Sequence, residues 1–130
     1  MYKIERTSYG FLLTFGGEIV KQEMEQWLKD SEQALMACTG PFGLIVDKTT
    51  LEPLAPDAQV VLLKGHRLYQ EKGIRRIAVA LKDLVTSAQS NRLANQSGIS
   101  ASEKCIDASV HTNWKRLAED WVQFGIDPNR

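Results

Sequence analysis

Residues Phe42–Leu63 read FGLIVDKTTLEPLAPDAQVVLL, and the change of period within this stretch decides the fold. Phe42–Asp47 is a short apolar run ending in a carboxylate, the pattern of a strand buried on both faces of a parallel sheet. A connection containing Pro53 and Pro56 follows. From Asp57 the period becomes helical: Ala58, Val61, Leu62, Gly65 and Leu68 share one face, and Gly73 is placed to cap the end. Gly65 in mid-helix should cost about 1 kcal/mol relative to Ala. On the apolar stripe it marks close packing by a neighbouring element. A buried strand handing over to a helix is half of a β-α-β unit, which implies an α/β fold.

The flanking sequence extends this pattern in both directions. Tyr2–Arg6 alternates, and after Gly10 the residues Phe11, Leu13 and Phe15 share one face of a second strand, so the first twenty residues read as a hairpin. Lys21–Cys38 is helical, with Met24, Trp27, Leu28, Leu35 and Cys38 on the apolar face, Ser31 on the same stripe, and Gly40 and Pro41 ending it. Ile74–Leu81 is the clearest strand. Ile77, Val79 and Leu81 form one face and Ala78 and Ala80 the other, so something packs closely on the small side.

Leu84–Gly98 carries a weaker helical stripe through Val85, Ala88, Gln89 and Leu93. Glu103–Ala108 is a last short strand. A final helix bears Trp114, Leu117, Ala118, Trp121 and Val122 on one face, with Gly125 as its cap. The order β-β-α-β-α-β-α-β-α predicts a mainly parallel sheet of four or five strands with an N-terminal hairpin, right-handed crossovers and four helices, within one domain spanning 1–130.

Composition narrows the function classes. The chain has 130 residues, 43% hydrophobic and 25% charged, which suits one globular domain. A net charge of zero gives no global field toward nucleic acid or an anionic membrane. Charge is nonetheless uneven: residues 1–65 hold 6 basic and 9 acidic side chains, and 66–130 hold 10 and 7. The densest basic run, Lys64, Arg67, Lys72, Arg75 and Arg76, reads as a solvated helix end. No secretory signal and no run of about 20 apolar residues is present, so the chain is not membrane-spanning. Cys38 and Cys105 are isolated, which fits free buried thiols and a cytoplasmic location.

Chemistry-bearing motifs are sparse. There is no GxxxxGK[ST], no GxGxxG and no GxSxG, and two cysteines and two histidines at unpaired spacing do not make a zinc site. No cofactor and no metal is expected, and no catalytic constellation emerges. His66 lies on the charged flank of its helix and reads as solvated; His111 reads as loop. Asp47 and Asp83 end two parallel strands, the edge where such sheets bind ligands. They are weak ligand candidates, and Asx-turn capping of the following loops is the simpler role. The three tryptophans read as core or half-buried faces, against a hydrophobic groove for a lipid tail or partner helix.

In element order the chain resembles the STAS / SpoIIAA-like family. The segments RIAVALKD, NRLANQSGI, CIDAS and NWKRLAEDWV resemble in particular an uncharacterised bacterial SpoIIAA-like branch. In the anti-sigma factor antagonists of that family, the strand ending in Asp is followed by D-[ST]-S-G opening the next helix. The second hydroxyl there is phosphorylated by a partner kinase. The same spacing from Asp47 falls on Ala55, Pro56, Asp57 and Ala58, so both hydroxyls and the glycine are replaced. Asp57 stands where the phosphorylated serine would be. It is either a permanent partial mimic of phosphate or a first-turn carboxylate favoured by the helix N-terminus.

The resemblance implies a non-enzymatic regulatory module acting on an unidentified protein partner. Its contact surface would include Lys48, Thr49, Thr50, Asp57 and Gln59. The alternative is a small apolar ligand or lipid carrier of the same fold. Homodimerisation through a strand edge or the Trp-bearing helix is a further expectation.

Overall fold

The structure is a computed structural model that describes residues 1–38, 40–82, 88–89, 92, 96, 98 and 102–129. Five strands form one sheet in the order β1 (Tyr2–Arg6), β2 (Gly10–Gly17), β3 (Phe42–Leu51), β4 (Ile74–Leu81), β5 (Glu103–Asp107). β1 and β2 are antiparallel, and β2 to β5 run parallel. Spatial order follows chain order. Successive right-handed crossovers that all step the same way must lie on the same face of the sheet. α1 (Lys21–Met36) and α2 (Pro56–Glu71) do so and pack against each other.

α3 (Trp114–Phe124) follows the last strand, needs no crossover, and covers the opposite face. Among the described residues these three are the helices with defined bounds. The fourth expected helix falls mostly outside them, although Ala88, Gln89, Arg92 and Gln96 are helical.

The period-two pattern sorts the core into two layers. Phe11, Leu13 and Phe15 of β2, Leu44 and Val46 of β3, and Ile77, Val79 and Leu81 of β4 face α1 and α2. Ile45, Ala78 and Ile106 face α3 and meet its Ala118 and Val122. The alanine face of β4 therefore admits a close-packed helix, as its composition predicts. Gly43 extends that approach: a Cβ there would stand 2.9 Å from Cβ of Val122.

The buried faces of α1 (Met24, Trp27, Ser31, Leu35) match the helical stripe read from the sequence. On α2 the buried position after Gly65 is Tyr69 rather than Leu68. Tyr69 is drawn in because its ring stacks on Trp27 with centroids 6.0 Å apart, and its hydroxyl donates to Ser31 Oγ at 2.8 Å.

β3 runs past Asp47 to Leu51, longer than the apolar run suggests. Thr49 and Thr50 are β-branched and extend readily. After a register shift between Thr14 and Gly16, β2 still pairs Gly16 with Thr50 and Gly17 with Leu51. Asp47 is thus inside the strand, not at its end.

Candidate functional site

The carboxyl ends of β2 and β3 lead into the N-termini of α1 and α2, so two connections converge on one edge of the sheet. The β3–α2 connection, residues 52–55, is held from several sides. Its Glu52 N–H donates to Gly17 O in the neighbouring β2–α1 connection at 3.0 Å. Lys82 pairs with Glu52 at 3.2 Å. Gln89 grips the Leu54 backbone twice, Oε1 accepting from the N–H at 3.1 Å and Nε2 donating to the carbonyl at 3.2 Å. Gln59 Nε2 donates to the same carbonyl at 2.8 Å, and Arg92 donates to Gln59 Oε1 at 2.8 Å.

Leu54 is itself buried, so loss of its partners would strand a polar backbone group. Gln89→Ala is expected to speed hydrogen exchange at the Leu54 amide about tenfold, the equivalent of about 1.4 kcal/mol, with little change at the core strands. Exchange measured by NMR checks this.

The helix start is Ala55, Pro56, Asp57 and Ala58. Ala55 is the extended N-cap and makes no side-chain cap bond, while Pro56 takes the first helical turn with its fixed φ. Asp57 is exposed, and its Oδ1 accepts from the Ala58 N–H at 2.8 Å. Its carboxylate therefore sits on the positive end of the helix dipole. Beside it a hollow of about 350 Å³ is lined by Ile19, Val20, Lys21, Pro53, Leu54 and Asp57, among others. A second hollow of about 490 Å³ continues between α1 and α2 past Leu28, Val60 and Val61, sharing Lys21 and Asp57 with the first. Val20 lines the first hollow and Val60 the second, and they are 52% and 54% exposed.

The remaining expected surface residues divide. Gln59 is half-buried in the loop clamp. Thr50 is exposed at the strand end. Thr49 is half-buried, with its hydroxyl donating to Asp47 Oδ1 at 2.7 Å and its N–H to the same oxygen at 3.0 Å. Asp47 thus makes the local Asx-type bond expected of it, inside a strand rather than capping a loop. Asp83 lies outside the described residues.

Lys48 is not on the surface: it is 5% exposed. Strand alternation explains this, since Lys48 follows Leu44 and Val46 on the α1/α2 face, level with Leu81 of β4.

Lys48 opens an interior feature that the sequence did not disclose. It lines a cavity of about 30 Å³ with Trp27, His66, Tyr69 and Glu103, the other walls being apolar. His66 is half-buried against this cavity rather than solvated, because its position on α2 turns it toward the sheet. Burial depresses the Lys48 ammonium, opposed by the negative charge of Glu103. Burial raises the Glu103 carboxyl, opposed by Lys48, and lifts the Cys105 thiol to about 12. Trp27 Nε1 is buried with no hydrogen-bond partner among the described residues. The only sequence signal for this cluster is a lysine in phase with an apolar strand face.

The volume limits what the cavity can do: about 30 Å³ has room for one or two waters, far below an acyl chain. Among the described residues no group of three potential metal ligands occurs, and no helix is long and apolar enough to cross a membrane.

No protein-family model matches the chain, and no curated protein matches it significantly. Among solved structures, the chain is similar to the crystal structure of an uncharacterised protein of the DUF3478 family from Shewanella loihica PV-4, described as having a SpoIIAA-like fold. The TM-score is 0.66 at 22% identity, covering 94% of this chain and 92% of the other. The chain therefore has the SpoIIAA-like fold along nearly its whole length.

Proposed function

We propose that the protein is a non-enzymatic STAS-like module of the cytoplasm that works by contact with a partner protein. The contact surface is the exposed edge formed by the β2–α1 and β3–α2 connections and the outer side of α2, including Val20, Thr50, Asp57 and Val60. One observation carries this reading. The helix start that bears the switch hydroxyl in antagonists of this fold holds Ala55, Pro56, Asp57 and Ala58 here, and Gln89 and Gln59 fix the connection before it.

A permanent carboxylate at Asp57 and a fixed approach favour a surface that is always in one state. A phosphate would add roughly another half to one negative charge and would require a hydroxyl that this helix start lacks. Incubation with ATP and a lysate of the organism, followed by mass spectrometry of the peptide spanning 48–58, is expected to give no stoichiometric phosphate. Stoichiometric phosphate on Thr49 or Thr50 would overturn the constitutive reading.

A further inference from the structure

We infer that the outer edge of β5 is a second docking surface, for an extended partner segment bearing a carboxylate, and that the residues after α3 occupy it in the free protein. Among the described residues, β5 pairs with β4 and is the last strand of the sheet order. An edge strand presents backbone groups that another strand can join. Here two outward carbonyls, those of Cys105 and Asp107, are already taken. Asp107 O accepts from the Val110 and His111 N–H groups of the turn that follows, at 3.2 and 3.0 Å. Cys105 O, in mid-strand, accepts from Nδ2 of Asn129 at 2.9 Å.

The tail reaches that carbonyl by a defined path. Gly125 adopts φ 71° at the end of α3, and its N–H bonds back to Trp121 O at 2.9 Å, which reverses the chain toward β5. Asp127 then pairs with Lys104 at 3.4 Å and accepts from the Asn129 N–H at 2.9 Å, while Pro128 is buried. Lys104 also lies over the Trp121 ring, 5.3 Å from its centroid.

The side-chain amide of Asn129 thus stands where the N–H of an added strand would bond, and Asp127 supplies the charge that Lys104 attracts. A side-chain amide and a surface ion pair, 37% and 42% exposed, make a displaceable cover. The occupant it imitates is an extended segment with a carboxylate on the Lys104 side, added by main-chain hydrogen bonding. This surface lies at the opposite end of the sheet order from the β1–β2 hairpin and does not depend on the reading of the α2 surface.

The test uses the full-length Asp127→Lys/Asn129→Ala double variant and an end-blocked peptide of the chain's own Phe124–Asn129 sequence. Amide exchange at β5 should rise at least tenfold in the variant. Its Cys105 and Ile106 amide signals should shift on adding millimolar peptide, while those of the unaltered protein stay in place. A peptide with lysine for the aspartate should not shift them. Unchanged β5 exchange, or a folded variant that ignores the peptide, overturns the proposal. A variant that dimerises without peptide assigns the edge to a second copy and overturns it equally. Should the double variant not fold, Asn129→Ala alone is read by the same criteria.

Discussion

Replacing Gly65 by alanine is expected to destabilise the protein by about 3 kcal/mol, although alanine is the better helix former by about 1 kcal/mol. A Cβ at this position would lie 2.1 Å from Cη2 and 2.2 Å from Cζ3 of Trp27. Neither group can give way. Trp27 is 1% exposed and is held between Phe15, at a 5.2 Å centroid distance, and Tyr69, at 6.0 Å. Well-packed cores resist added methyl groups because the neighbours must leave their rotamers or the backbone must shift.

Because the clash is with one side chain, the Trp27→Phe/Gly65→Ala double variant should be more stable than the sum of the single losses implies, with a coupling of at least 1 kcal/mol. Urea denaturation of the four proteins measures this. Gly65→Ala at wild-type stability would mean that α1 and α2 are not packed as described.

The Lys48→Met/Glu103→Leu double variant is expected to act in the opposite direction, stabilising the protein by about 1–3 kcal/mol, since apolar replacement of both members of a buried pair of opposite charges is often neutral to stabilising, whereas removing one member alone leaves a buried charge. The sign follows from linkage. Burial depresses the folded-state Lys48 ammonium below its ordinary 10.5. The unfolded chain then binds more protons than the folded one between the depressed value and 10.5, so wild-type stability falls as pH drops through that window.

The double variant removes this titration. Its advantage should therefore be largest on the acid side of the window and should shrink as pH rises toward 10.5. Glu103 is replaced together with Lys48, because a carboxylate left in the cavity without the ammonium would be an uncompensated buried charge. Thermal melts of both proteins across the pH range check the prediction. A double variant that is less stable at every pH would show that the charged pair is net stabilising.

The two cases also show what was legible in the sequence. Gly65 was readable as a packing position because it fell on the apolar stripe of a helix, and the small face of β4 was readable from Ala78 and Ala80. Both are local patterns with a single geometric solution. Lys48 was not readable as buried, because the apolar run FGLIVD stops at Asp47 while the strand continues to Leu51 through β-branched threonines paired with β2. His66 and Glu103 meet the cavity only through tertiary placement of α2 and β5, which no spacing within either segment encodes.

The clamp on Leu54 is of the same kind: Gln89 is 35 residues away and carries no motif. The missing hydroxyl at Asp57 was visible in the sequence, whereas the fixing of the connection before it was not.

The most direct test of the central claim is site-specific photocrosslinking of the full chain in its own organism. A benzoylphenylalanine placed at Val60, on the outer side of α2, is compared with one at exposed Lys115 on α3. The account predicts a discrete protein adduct from position 60 that disappears when Asp57→Lys is added, with none from position 115. No adduct at position 60, the same adduct from both positions, or an adduct indifferent to Asp57→Lys would contradict it.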